Sequence, residues 1–311
     1  MSTEVFEVLD AGPATTLQDL GRHGHESQGV PPGGALDHFA LVAANRIVGN
    51  PDAAAALECR HAGLRLTALR ASVVAVTGGE PEVWINRSRV PAWTGIFVAP
   101  GDEVRVPRLG SGAVCYLARG GGFEAKRWLG SGSTYLPAGL GGLGGRRLRP
   151  GDRLRGARVR STLVAGRCLR PDLRPALASP LKLRALAGPH LPLLEPQARS
   201  ALFLTNWTRS PDSDRSGYRY SGEALAHTLS VASLGTCLGS VQLPPDGRPV
   251  LLLAEHPTVG GYPLVACVIS ADLPLAAQMS VGQPMRLELV SLEVADRARR
   301  LAASALATID L

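Results

Sequence analysis

The stretch VVAVTGGEPEVWINRSRVPAWTGIFVAPGDEVRV, residues 73–106, sets the fold class. It holds four short runs rich in β-branched and aromatic residues: Val73 to Thr77, Val83 to Asn86, Ile96 to Ala99 and Val104 to Val106. Gly or Pro interrupts the chain between them before a helix of ordinary length could build, so each reads as a strand. Outward from there the style repeats. Val114 to Ala118 follows. Beyond a Pro- and Arg-rich stretch at 166–182 come Ala201 to Thr205, Val250 to Ala254, Leu264 to Ile269 and Met285 to Val290. The 36 Gly and 24 Pro of the 311 residues supply the turns that so many short strands need. The expected organisation is two β-rich domains, residues 1–165 and 183–311. The segments PGDEVRV, PGDRLRG and VGQPMRLEL each place Gly and a polar turn before a strand, an echo that hairpin chemistry alone can produce.

Two segments break the pattern with helical spacing. Ala35 to Val48 has apolar residues at 36, 39, 40, 43, 44, 47 and 48 and is stopped by Gly49-Asn50-Pro51. Leu292 to Ala307 carries Leu292, Ala295, Ala298 and Leu301 on one stripe, expected to pack on the second domain or on a partner.

Composition narrows the function classes. Apolar residues make up 45% of the chain, enough for sizeable cores. The net charge of +7 comes almost wholly from scattered Arg, with Lys only at 126 and 182, and aromatics are 5%. That combination disfavours nucleic acid, which wants clustered charge and stacking surfaces, and leaves an acidic protein partner open. Cys59, Cys115, Cys168, Cys237 and Cys267 are far apart, mostly among apolar neighbours, and lack any C-x-x-C. Free thiols in a reducing compartment are expected. Neither a signal-type leader nor an apolar run of about 18 residues is present, so no membrane partner and a cytoplasmic location are expected.

Most catalytic patterns fail on context. Gly139 to Gly144 satisfies G-x-G-x-x-G, but Pro137 precedes it and Arg-Arg-Leu-Arg-Pro follows, where a dinucleotide loop needs a strand and a helix. Ser179-Pro-Leu-Lys182 lacks the companion motifs of an S-x-x-K enzyme. His23 with His25, and Cys59 with His61, lack the spacing of a strong metal site, so no metal is expected. Ser210 to Arg219 is more informative. Asp214, Arg215 and Arg219 flank Gly217, and Arg forks grip carboxylates bidentately. An ion-paired turn that closes a barrel is the structural alternative. In His256 to Pro263, Gly260-Gly261 lets backbone approach closely and Tyr262 offers a hydroxyl, though a bulged connection would look the same.

The segments TTLQDLGR, GVPPGGALD, AANRIVGN, LGSGSTY, GGLGGRRLRPGD, SDRSGYR, GSVQLPPDGRPV and GGYPLVACVISADL occur in this order over roughly residues 10–290. With them the chain resembles the biotin-dependent carboxyltransferase family, also called allophanate hydrolase subunit 2. That family includes the C subunit of 5-oxoprolinase, the antagonist of the sporulation-kinase inhibitor, and part of the carboxyltransferase region of urea carboxylase. The resemblance implies a mainly β fold of two cyclophilin-like β-barrel domains with a few short helices. It implies a subunit 1 partner, similar to the B subunit of 5-oxoprolinase, and in the oxoprolinase relatives a third protein similar to the A subunit. Together these open the 5-oxoproline lactam to glutamate at the expense of ATP, which the complex uses through a partner. The resemblance implies no cofactor bound directly, and biotin only for a carboxyltransferase-type role. The alternatives it leaves are a non-catalytic regulatory protein that binds a subunit 1-like inhibitor, and the carboxyltransferase half of a urea carboxylase or allophanate hydrolase-type system.

By the same match, Gln18, Asp19, Arg22, Asp214, Arg215, Arg219, Gln242, Thr258 and Tyr262 are the candidate substrate-binding residues. An Arg would read the substrate carboxylate, and no nucleophile or base is assigned. For Asp19 and Arg22 the structural alternative is that they pair and brace their loop. Asp37 and Asn45 are expected to pack the first helix, and Asn50 to stop it. The chain departs from its relatives at Gly33, where Ser is usual, and at Ser233-Leu234, where Ser-Glu is usual. It departs again at Pro257-Thr258-Val259, where Q-T-T is usual, and at His23 and His25. Lost polar groups are compatible with a changed substrate or lost activity.

Overall fold

The computed structural model describes residues 2–157 and 165–310. The stretch 158–164, just before the expected domain end at 165, lies outside the described residues. Contacts gather the chain into two compact units. One comprises Met1–Arg22, Gly33–Arg174 and Ser304–Leu311, the other His23–Pro32 and Pro175–Ala303.

The first unit is built from two antiparallel sheets. The six-stranded sheet runs Arg153–Ala157, Ser2–Ala11, Leu64–Ala68, Glu103–Val106, Val83–Ile85, Ser88–Val90. The five-stranded sheet runs Ala14–Gln18, Ala56–Arg60, Val114–Arg119, Ser72–Gly78, Ile96–Val98. Their inward side chains form one core, with Phe6, Leu66 and Val104 from the first sheet against Leu57, Val76 and Leu117 from the second. All four runs of residues 73–106 are strands, because alternate residues reach that core while the Gly and Pro between them turn the chain.

The helix His38–Ile47 packs on the second sheet. Asp37 caps it by accepting the Ala40 N–H at 2.8 Å. A buried network fixes the entry: the Glu58 carboxylate accepts from the Tyr116 hydroxyl (2.7 Å) and the Leu36 N–H (2.9 Å). Asn45 donates to the Asp52 and Ala54 carbonyls, and Asn50 donates to Asn45 Oδ1 and the Arg119 carbonyl. These polar residues tie the helix exit back to the sheet.

The second unit closes into a seven-stranded barrel: Leu181–Ala187, Leu264–Val268, Ser240–Gln242, Val250–Leu252, Gly217–Ser221, Trp207–Arg209, Pro284–Leu289. The closing pair, Leu181–Ala187 beside Pro284–Leu289, is parallel and the other pairs are antiparallel. Leu181, Leu183 and Ala185 point inward, Lys182 and Arg184 outward, and Trp207 and Met285 fill the interior. The mainly β expectation holds, with the closed barrel in this unit.

One expected strand is a helix. Ala201 to Thr205 falls almost wholly in Pro196–Leu204. Pro196 stands in the first turn, where its missing N–H costs nothing, and Ala198 and Leu202 are buried four residues apart. A short apolar run has no period of its own, so the flanking helical spacing decided it. The C-terminal helix Leu292–Ala307 has its expected bounds. Of its stripe only Ala298 is buried, while Leu292 and Leu301 are exposed.

Candidate functional sites

In the first unit, the strand Ala14–Gln18 delivers Gln18, Asp19 and Arg22 to the loop 128–135. Asp19 accepts four hydrogen bonds: from the Gly21 and Gly132 N–H groups (2.8 and 2.6 Å) and from the Ser131 and Ser133 hydroxyls (2.6 and 2.5 Å). Arg22 Nη2 donates to the Ser133 carbonyl at 2.6 Å. Its guanidinium lies 4.9 Å from the Trp128 ring centre and 6.0 Å from that of Tyr135, and those two rings are stacked. Gln18 donates to Thr16 and to the Thr134 carbonyl. All three side chains are buried. In this structure their bonds grip the loop.

Two sequence features find their reason here. A Cβ at Gly33, where φ is +64°, would lie 2.6 Å from Arg22 Nη1, so the space of the usual Ser is occupied by the Arg22 guanidinium. The Gly139 to Gly144 run is a turn structure with no strand before it and no helix after it. Its Gly141 and Gly142 press backbone against Ser133 and Thr134, where any Cβ would fall within 2.1 Å of an oxygen. These glycines serve close packing.

In the second unit, Arg215 and Glu255 form a buried ion pair, Nε to Oε1 2.6 Å, with side chains 6% and 4% exposed. The Glu255 N–H also donates to the Arg215 carbonyl. Asp214 is exposed and accepts from the Ser216 and Gly217 N–H groups, closing the turn before the strand Gly217–Ser221. Arg219 points out of that strand. Among the described residues it has no carboxylate within 4 Å, and it lines a cavity of about 400 Å³ with Ser210, Asp212, Ser221, Asp246 and Arg248.

Gln242 is buried on the strand Ser240–Gln242, against the two-stranded ribbon Leu234–Gly235 with Val259–Gly260. A Cβ on Gly260 would lie 2.4 Å from Gln242 Nε2, so glycine is what lets the amide approach. The Thr258 carbonyl accepts from the Thr236 N–H at 3.0 Å. The Thr236 hydroxyl meets buried His256 at Nδ1 (3.1 Å) and the Pro257 carbonyl. Because the Pro257 carbonyl can only accept, the Nδ1 at 2.9 Å from it carries the proton. Tyr262 is 47% exposed.

The structure thus brings Gln18, Asp19 and Arg22 together in one unit. In the other it sets Gln242 of the barrel strand Ser240–Gln242 against the ribbon beside Thr258, pairs Arg215 with Glu255, and leaves Arg219 in its own cavity. Local sequence gives no sign that Ser131, Ser133 and Trp128 are their partners, although Ser131 and Ser133 lie in LGSGSTY. It gives none for Glu255 and His256 either, because only strand pairing brings them to Arg215 and Thr236.

A two-unit β-rich chain with these loops is a domain of the carboxyltransferase type. It superposes on the urea amidolyase of K. lactis with a TM-score of 0.92 at 28% identity, covering 99% of this chain and 20% of that one. The chain therefore spans about a fifth of the length of that larger protein. The model of the carboxyltransferase domain, subdomain A and B, matches residues 28–289, and the chain belongs to that family. It is 36% identical over 304 residues to the C subunit of 5-oxoprolinase from Escherichia coli (strain K12), covering 95% of this chain and 94% of the relative. It is 35% identical over 300 residues to the C subunit of 5-oxoprolinase from Haemophilus influenzae, with the same coverage.

Proposed function

We propose that this chain is the C-type component of an ATP-dependent 5-oxoprolinase complex, a lactam hydrolase subunit that works in the cytoplasm with partner proteins. The observation that carries the reading is end-to-end similarity to the C subunit of a 5-oxoprolinase at 36% identity, against a fifth of the length of urea amidolyase. The partners would be a subunit 1 protein of the B type and a further protein of the A type, with ATP consumed on a partner.

A five-membered lactam is a poor electrophile, and activation of its oxygen as a phosphate makes water attack feasible. The protein then has to position the ring, hold its carboxylate and stabilise the oxyanion. Arg219 is the candidate carboxylate reader, since its fork is free in a polar cavity while Arg215 is committed to Glu255. Asp214 shapes the turn that carries both arginines. Gln242, Thr258 and Tyr262 would offer polar contacts at and beside the ribbon, and Gln18, Asp19 and Arg22 would act by holding the loop 128–135.

A second reading, the carboxyltransferase half of a urea carboxylase-type system, is favoured by the TM-score of 0.92. Biotin would then have to arrive on another protein, because Lys126 and Lys182 stand in AKR and LKL, unlike the Met-Lys-Met of a biotin acceptor.

The test is ATP-dependent release of glutamate from 5-oxoproline by the chain with its co-encoded partners, with each omitted in turn, and with Arg219→Ala. Release that needs every component, and falls at least tenfold in Arg219→Ala at unchanged stability, is the expected result. A well-formed complex that releases no glutamate would overturn the assignment.

A further inference from the structure

Two thiols 30 residues apart in the chain meet on one face of the second unit. Cys237 opens the turn into the strand Ser240–Gln242: its carbonyl accepts the Ser240 N–H at 3.0 Å, and its own N–H donates to the Ser240 hydroxyl at 3.2 Å. Ser240 faces Cys267 across the antiparallel pairing with Leu264–Val268. The turn therefore carries Cys237 Sγ to 3.9 Å from Cys267 Sγ and 3.3 Å from Ser240 Oγ. Cys237 is exposed, and Cys267 is half-buried behind it.

We propose that Cys237 and Cys267 form a reactive dithiol site that exchanges with small disulfides of the glutathione type and closes to an intramolecular disulfide. Geometry assigns the roles. Cys237, which solvent reaches, attacks, and Cys267 behind it resolves.

The electrostatics agree. The hydrogen bond from Cys267 lowers the Cys237 thiol to about 5 against the opposing effect of burial, with further help from Ser240 and the nearby His256. Cys267 is pushed up, first by that same bond and then by burial and the Cys237 charge. In the first step the Cys237 thiolate attacks one sulfur of the small disulfide. A Cys237–S bond forms, the small S–S bond breaks, and one thiolate leaves and takes a proton from water. Cys237 is then neutral, so the bond and the charge that held the Cys267 proton are gone. Cys267 loses that proton, attacks Cys237 Sγ and expels the second small thiolate. Two protein thiols are oxidised, and one small disulfide is reduced to two thiols.

The site is selective within the chain. Cys59 and Cys115 oppose one another in the first unit but are fully buried, and Cys168 is exposed with no thiol partner among the described residues. Closure has a structural consequence as well. Thr236, next to Cys237, holds the Thr258 carbonyl and meets His256, so the new bond ties the ribbon carrying Thr258 to the barrel strand Leu264–Val268.

The experiment treats the full chain carrying Cys168→Ser with oxidised glutathione under anaerobic conditions and follows intact mass and peptide maps. The expected product has lost two hydrogens, with the bond mapped to Cys237 and Cys267. Adding Cys267→Ser stops the reaction at one glutathionyl group on Cys237. Adding Cys237→Ser slows all modification at least tenfold, with circular dichroism confirming that both variants fold. A stable glutathione adduct in the chain with both thiols, or equal reaction rates with and without Cys237, overturns the proposal.

Discussion

Arg215→Ala is the substitution that sequence reasoning would choose to probe a substrate-binding arginine, and the structure gives it a different outcome. The Arg215 side chain is 6% exposed and bonds to a Glu255 that is 4% exposed. Removing the guanidinium leaves a carboxylate buried without its counter-charge, which costs about 3–5 kcal/mol. For a unit of this size that lowers the thermal midpoint by roughly 10–15 °C. Replacing both partners with apolar residues of similar volume, Arg215→Met with Glu255→Leu, removes the orphaned charge and should recover most of the loss, to within about 1–2 kcal/mol of the parent. Differential scanning calorimetry on the parent, Arg215→Ala, and the cycle of Arg215→Met, Glu255→Leu and their double variant measures both effects. Arg215→Ala with a midpoint within about 2 °C of the parent would refute the reasoning, as would a double variant no better than the worse single one. Activity lost in Arg215→Ala therefore reports on folding, and exposed Arg219 is the arginine whose removal tests substrate binding.

Asp19→Asn keeps the shape of the side chain but turns one acceptor into a donor facing the N–H groups and hydroxyls that bind it, a loss of about 2 kcal/mol. Amide hydrogen exchange in residues 128–135 should accelerate by roughly 10- to 30-fold, and unchanged protection would count against the clamp. Gly33→Ser restores the residue usual in relatives but places a Cβ on Arg22 Nη1. It should displace the guanidinium from Trp128, visible as changed Trp fluorescence with about 1–2 kcal/mol of destabilisation; an unaltered spectrum and midpoint would show the space to be free. The bidentate bond from Arg146 holds the Asp152 carboxyl below its usual value, helped by the Arg149 N–H. Its contribution is present above the unfolded value near 3.8 and is lost as pH falls through the lower folded one. Urea titrations between about pH 5 and about pH 2 should therefore show a shallower acid loss in Asp152→Asn than in the parent, and parallel curves would refute it.

Much of the strand content was legible because the strands are short and bounded by Gly and Pro, and because a strand with one buried face writes its period into the chain. The first helix was equally plain from its apolar spacing and its stop at Gly49-Asn50-Pro51, but it begins at His38 rather than Ala35, because Asp37 serves as its cap. Ala201 to Thr205 reads as a strand but lies almost wholly in a helix, because four apolar residues fit either period and the burial of Ala198 with Leu202 selects the helical one. The candidate residues were legible as types: acids, arginines and glycines on constrained backbone. Their employment was hidden, because a hydrogen bond from Ser131 to Asp19 spans 112 positions and one from Arg215 to Glu255 spans 40.

The sequence by itself determined the β class, the turns, two helices and the family, since all of these rest on local conformational preference and on motifs in order along the chain. Only the tertiary structure decided which arginine is sequestered and which stands free, why Gly33 lacks the usual Ser, and that Cys237 meets Cys267. The reason is physical: burial and partnership are properties of strands brought side by side, and pairing register is set by the whole core.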